Sequence, residues 1–159
     1  MKLLWSPWRM KYIQRQKHTS GSFLSQSAKE LPTAENLVIA KGETAFVLLN
    51  RFPYNNGHLM VAPFAHIATH EDLTQVCRLE IMDLLAHATA ALRSVYAPEG
   101  YNIGANLGAA SGAGVADHLH FHIVPRWVGD SSFMSTVGEV RVLPEELEAL
   151  ELTPSTVEV

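Results

Sequence analysis

The stretch at residues 116–127, ADHLHFHIVPRW, constrains this chain more than any other. His118, His120 and His122 alternate with Leu119, Phe121 and Ile123. Period-two alternation among β-branched and aromatic residues predicts a strand over 119–125. The three imidazoles then share one face, while the other face supplies a core, so a rigid element presents the histidines. Three chemistries compete for such a row. A metal site is weakened by geometry. At ~3.3 Å of rise per residue the first and third histidines stand on the order of 13 Å apart, too far to share one ion through ~2 Å bonds. Two neighbours plus an outside ligand could still chelate. The second reading is a plain polar strand face. The third is a nucleophilic histidine flanked by two that bind and polarise an anionic substrate.

Composition narrows the partners. With 159 residues, 47% hydrophobic and 18% charged, the chain suits one globular domain, with an N-terminal helix and loop (1–30), a core (36–130) and an acidic tail (139–159). A net charge of −4 argues against a nucleic-acid duplex, which needs clustered Lys and Arg, and leaves room for a small anion held locally. Cys77 is the only cysteine, so neither a disulfide framework nor a cysteine-rich zinc site is available. Residues 1–16 hold no continuous apolar region and no run approaches ~20 apolar residues, so the expectation is a cytoplasmic protein without a signal peptide or membrane span.

The first seventeen residues carry Lys2, Arg9, Lys11, Arg15 and Lys17 and no acid. Ser6 as N-cap and Pro7 at the first helical position predict a short helix to about Gln14, anchored by Trp5 and Trp8. Residues 18–26, rich in Ser and Gly, read as a mobile loop. Strands are expected over 36–40 and 45–50, joined by Lys41-Gly42-Glu43-Thr44, and over 57–63. Strand 45–50 has few polar positions, so both its faces should be covered. A helix follows over about 71–96, with Leu73, Val76, Cys77, Ile81, Leu84, Leu85, Ala88, Leu92 and Val95 at spacings of three and four. Cys77 lies on that stripe as a core residue. His87 is off it and solvated, and His66 and His70 mark the approach to the helix. A fourth strand spans 101–107. Strands before and after one long helix predict an α+β fold, an antiparallel sheet with the helix on it, rather than a doubly wound sheet.

His118, His120 and His122, followed by Ile123 and Val124, resemble the signature of the histidine triad superfamily of nucleotide hydrolases and transferases. The upstream run from Asn50 to Pro63, NRFPYNNGHLMVAP, is similar to the family's stretch ending in Gly-His and an apolar strand closed by proline. The resemblance covers roughly residues 36–130. LWSPWRMKYI near the start and PRWVGD at 125–130 look closest to the branch containing diadenosine tetraphosphate phosphorylases.

The resemblance implies a five-stranded antiparallel sheet with one helix, a homodimer, and cleavage of a nucleoside or dinucleoside polyphosphate at the α-phosphate. His120 matches the family's nucleophile, which forms a nucleotidyl-histidine. Its other ring nitrogen needs an acceptor, such as a main-chain carbonyl, to fix the tautomer. His118 and His122 match the flanking positions that bond phosphate oxygens and the leaving group, and His58 the upstream histidine that braces the cluster. Asn50 matches the ribose position and Asn106 a phosphate contact. The small-residue loop 108–114 is no P-loop, since no Lys-Ser/Thr follows, but its amides can approach a phosphate, with Ser111, Gly112 and Gly114 as candidate contacts.

Two departures stand out. Gly114 and Val115 fill positions where family members often carry Gln or Ser and then Ser or Thr, so Ser111 or backbone amides would have to serve the leaving group. The N-terminal cysteines that hold zinc in many members are absent. No tightly bound cofactor is expected, only Mg²⁺ with the nucleotide. An adenylate or phosphoramidate hydrolase is the runner-up, a nucleotide-binding regulatory module with weak turnover the rival from another class. Asp117, the one acid close to the triad in sequence, reads as a solvated strand end, and a metal-dependent hydrolase would need more carboxylates than that.

Overall fold

The computed structural model describes residues 23–27 and 36–130. In chain order these are helix α1 (Phe23–Ser27), strands β1 (Val38–Lys41), β2 (Ala45–Leu49) and β3 (Leu59–Pro63), and a 3₁₀ turn at His70–Asp72. Helix α2 (Gln75–Tyr96), strand β4 (Gly100–Ala105), a 3₁₀ turn at Ala109–Ser111 and strand β5 (Phe121–Arg126) complete them. The strands form one sheet in the order β1-β2-β3-β5-β4, every neighbouring pair antiparallel. This is the α+β sheet with a single long helix that the pattern predicts.

Alternation along the strands divides the interior in two. Ala45, Val47 and Leu49 of β2, Leu59 and Val61 of β3 and Ile123 of β5 pack against Cys77, Ile81, Leu84, Leu85, Ala88 and Leu92 of α2. On the other face Phe46, Leu48, Met60 and Ala62 meet Val38, Leu24 of α1 and Val115 of the loop before β5. Both faces of β2 are therefore covered and all five of its residues are buried, as its lack of polar positions predicts. His122 pairs across the sheet with Met60, and opposite residues share a face, so the triad side is the one away from α2.

Several boundaries differ from the pattern. Helix α2 starts at Gln75 rather than near 71, because Thr74 accepts from the Cys77 N–H at 3.2 Å as an N-cap, while His70–Asp72 makes its own turn behind Thr69. It ends at Ala97, in the left-handed region with φ 45°, just before Pro98. The apolar stripe is narrower than the spacing suggests, since Val76 and Val95 are exposed. Strand β1 begins at Val38, whose N–H bonds the Asn36 side chain, after Leu37 takes a positive φ of 61°. Strand β4 stops at Ala105 instead of 107.

Two further differences matter for the site. Residues 23–26, expected in a mobile loop over 18–26, belong to a helix that runs to Ser27, and Leu24 is completely buried in the second core. Its burial contributes on the order of 2 kcal/mol. Strand β5 starts at Phe121 instead of 119, because β3 pairs with it only from Leu59 to Val61. Beyond that Pro63 has no N–H to offer, and its carbonyl is occupied by the His118 ring. The expected helix near residues 6–14 and the acidic tail lie outside the described residues. Among the described residues no helix is long and apolar enough to cross a membrane.

Candidate active site

Only His122 is in the strand proper; His118 and His120 stand in the extended segment leading to it. That segment is held by a backbone bond from Leu119 N to Ile67 O, 2.6 Å, and by the burial of Leu119 in the helix-side core. Alternation therefore persists past the end of the ladder, with the histidines turned away from Leu119 and Phe121.

His120 is 7% exposed, and its Nδ1 lies 2.8 Å from the carbonyl oxygen of His118. A carbonyl can only accept, so Nδ1 carries the proton and Nε2 keeps its lone pair. Burial holds the imidazole below its ordinary pKa, outweighing the opposite effect of that carbonyl bond. The ring is neutral at pH 7 with Nε2 as the nucleophilic atom. This is the main-chain carbonyl anchor expected for the central histidine.

A second set of bonds fixes His122. The N–H of Tyr54 approaches His58 Nδ1 at 3.0 Å, and a backbone N–H can only donate. Neutral His58 therefore carries its proton on Nε2 and donates it to His122 Nδ1, 2.9 Å away. His122 in turn has its proton on Nε2. Tyr54 stacks on His58 with ring centroids 4.8 Å apart, and His120 meets His122 edge-on at 4.9 Å. His58, 1% exposed, thus lies between Tyr54 N and the His122 ring, in contact with both. Beside it Asn50 accepts from Phe52 N through Oδ1, so its NH₂ group lies 3.4 Å from His58 Nε2; both are donors in this arrangement, and the approach is a contact rather than a hydrogen bond.

His118 takes a different part from the one its motif position implies. Its ring has no exposed surface, Nε2 bonds Pro63 O at 2.9 Å and Nδ1 lies 3.2 Å from Ser25 Oγ. Both nitrogens are engaged by the protein, so neither is available to a phosphate oxygen. Burial again keeps this imidazole below its ordinary pKa, against the bond to Pro63.

The loop between β4 and β5 supplies Asn106, half-buried, and exposed Gly112 and Gly114. Gly108 and Gly112 have φ of 74° and 83°, the left-handed backbone that turns amides about such a loop. Ser111 directs its hydroxyl to Gly108 O at 2.7 Å, which uses the proton it would need to serve a leaving group. Val115 is buried with Leu24 and Phe46 in the second core, which is why an apolar residue stands there. On β4, Gly104 pairs with His122, and a Cβ there would meet nothing within 4 Å, so the sheet beside His122 is open. Arg126 is bound by Asp130 through Nε and Nη2, at 2.5 and 2.7 Å, and by Asn102 Oδ1 at 2.7 Å.

Residues 32–128 match the HIT domain family. The chain belongs to the HIT family. This HIT chain is 40% identical over 152 residues to the AP-4-A phosphorylase of Mycobacterium tuberculosis, covering 91% of its own length and 77% of that protein. It is 30% identical over 118 residues to the adenosine 5'-monophosphoramidase hnt1 of Schizosaccharomyces pombe, covering 70% and 85%. Among solved structures, the Zn-bound histidine triad family protein of Mycobacterium smegmatis superimposes with a TM-score of 0.61 at 26% identity, covering 79% and 84%.

Among the described residues no group of three or more His, Cys, Asp or Glu could hold a metal ion, and Cys77 is buried in the helix-side core. Sequence reasoning missed Ser25, His66, Tyr54 and the Pro63 carbonyl as parts of the site. Tyr54 lies inside the Gly-His motif run and could have been noticed. Pro63 closes the same run, but nothing in the sequence says that its carbonyl meets a histidine.

Proposed function

We propose that this HIT protein transfers a nucleotidyl group from a dinucleoside polyphosphate to inorganic phosphate through a covalent bond on His120. The observation that carries this reading is the bond from His120 Nδ1 to the His118 carbonyl, which puts the proton on Nδ1 and leaves the lone pair on Nε2 of a neutral ring. Nε2 attacks the α-phosphorus and the bond from phosphorus to the bridging oxygen breaks. His122, with its single proton held on Nε2 by the wiring through His58 and Tyr54, donates a hydrogen bond to the departing oxygen. For diadenosine tetraphosphate the leaving group is ATP. An oxygen of inorganic phosphate then attacks the adenylyl phosphorus, the bond to His120 breaks, and ADP leaves.

Likeness to the AP-4-A phosphorylase over 91% of this chain favours phosphate over water as acceptor. In this reading Asn50 contacts the ribose, Asn106 and the amides at Ser111, Gly112 and Gly114 face phosphate oxygens, and His118 orients rather than touches. The nucleotide brings its own Mg²⁺, the protein holds no cofactor tightly, and two copies associate as a homodimer. Incubation with diadenosine tetraphosphate and ³²P-labelled phosphate tests the acceptor. Label in ADP, with ATP as coproduct, supports phosphorolysis. AMP with ATP and no labelled ADP shows a hydrolase, and turnover restricted to adenosine phosphoramidates shows the activity named for the fission-yeast relative.

A further inference from the structure

The one triad histidine that cannot reach substrate is the most heavily tied down. Ser25 Oγ lies 3.2 Å from His118 Nδ1 and 3.0 Å from His66 Nδ1, and His66 Nε2 lies 3.2 Å from Asp117 Oδ2. The His66 and His118 rings stack with centroids 5.0 Å apart and 22° between planes. Ser25 is 93 residues before His118 and outside the matched HIT region at 32–128.

Hydrogen counting fixes the direction of the bonds to His118. Pro63 O only accepts, so His118 Nε2 holds that ring's proton and Nδ1 must accept. Ser25 has one hydroxyl proton, which goes to His118 Nδ1. Its oxygen is left as an acceptor for His66 Nδ1–H, and Asp117 Oδ2, which only accepts, faces His66 Nε2; the two bonds form together when His66 carries both ring protons. With both ring protons on His66, the chain Asp117–His66–Ser25–His118–Pro63 has no donor facing a donor. It ends on the residue whose carbonyl holds the nucleophile, since His118 O accepts from His120 Nδ1.

We propose that Ser25 and His66 are positioning residues for His120, acting through His118: together they lock the His118 ring and hence the carbonyl that fixes the nucleophile's tautomer and aim. Leu24, buried in the second core, is what holds Ser25 against the rings. This HIT site is therefore completed by a side chain from outside the family domain.

The inference rests on the proposed reaction, and its test includes an arm that needs no substrate. In the full chain, Ser25→Ala should lower kcat about five- to tenfold, the weight of one part-buried hydrogen bond, with KM within about twofold. His66→Phe, which keeps the stacked ring and loses both bonds, should behave alike. Ser25→Thr, which keeps the hydroxyl, should restore kcat. Long-range ¹H–¹⁵N spectra of the imidazoles, recorded without nucleotide, should show the His118 Nδ1 signal shifted in Ser25→Ala and the His120 ring signals moving with it. Unchanged His120 signals and kcat in Ser25→Ala would overturn the proposal, as would Ser25→Thr as impaired as Ser25→Ala. A lowered melting temperature with kcat intact would make the contact merely structural. If the wild-type chain turns over no nucleotide, the proposed reaction fails, and the spectra alone decide whether Ser25 positions His120.

Discussion

Replacing His58 by Phe separates its packing from its hydrogen bonds. The ring is 1% exposed and stacks on Tyr54 at 4.8 Å, and phenylalanine keeps that volume and stacking. What disappears is the acceptor for Tyr54 N–H and the donor to His122 Nδ1, at 3.0 and 2.9 Å. Each stranded group costs about 1–3 kcal/mol, so His58→Phe should lose about 2–6 kcal/mol of stability, toward the lower end because both bonds are only part-buried. Catalysis should suffer separately. His122 loses the donor that keeps its proton on Nε2, and kcat should fall by at least about tenfold with KM little changed. Urea unfolding and steady-state kinetics on diadenosine tetraphosphate measure the two effects. A variant within about 0.5 kcal/mol of wild type and with unaltered kcat would refute the tautomer relay.

Because burial holds His120 below the ordinary imidazole pKa, the acid limb of kcat/KM should lie below about pH 6.5, and a limb above neutrality would contradict the neutral nucleophile. Stability follows the same sign: His118 and His120 are both depressed in the folded state, so their contribution is whole above the unfolded value of about 6.5. It is lost as pH falls from there through the folded values, a decline that denaturation midpoints across pH 4–8 should trace at about that window. Gly57 has φ +69°, and a Cβ there would lie 2.9 Å from Leu92 Cδ2 and 3.2 Å from Tyr96 Cε2, so Gly57→Ala should cost about 1–3 kcal/mol in urea unfolding. Elemental analysis of the purified protein should find no stoichiometric zinc, and chelators should act only through Mg²⁺ carried by the nucleotide; one zinc per chain, lost together with activity, would reverse that expectation.

Much of this fold was legible because its signals are local. Five short strand-like runs, a Gly-containing hairpin and one helix with a three-four stripe specify the elements, and the unbroken apolar run at 45–49 shows that β2 is covered on both sides. The boundaries were set by interactions that periodicity does not encode. Thr74 capping Cys77 N moves the start of α2, and the Pro63 carbonyl, bonded to a side chain, ends the ladder before His120. The histidines of the triad and His58 were legible by motif, and the structure brings all four together. Their division of labour was not. The buried state of His118 depends on Ser25 and His66, which are 93 and 52 positions away in the chain and become neighbours only when Leu24 docks on the sheet. A serine in a Ser/Gly-rich stretch carries no local sign of that contact. Asp117, expected as a solvated strand end, is indeed exposed and yet pairs with His66.

The account turns on the covalent bond at His120, and the adenylated protein is the most direct place to look for it. Wild-type enzyme mixed with diadenosine tetraphosphate in the absence of inorganic phosphate is quenched in alkali, where a phosphoramidate bond survives. It is then digested and sequenced by mass spectrometry. The adenylyl group should map to His120 within the tryptic peptide 94–126, disappear when phosphate is added before the quench as ADP forms, and be missing in His120→Ala, whose turnover should be lower by several orders of magnitude. Adenylyl on another residue, or His120→Ala retaining more than a few per cent of wild-type turnover, would contradict it.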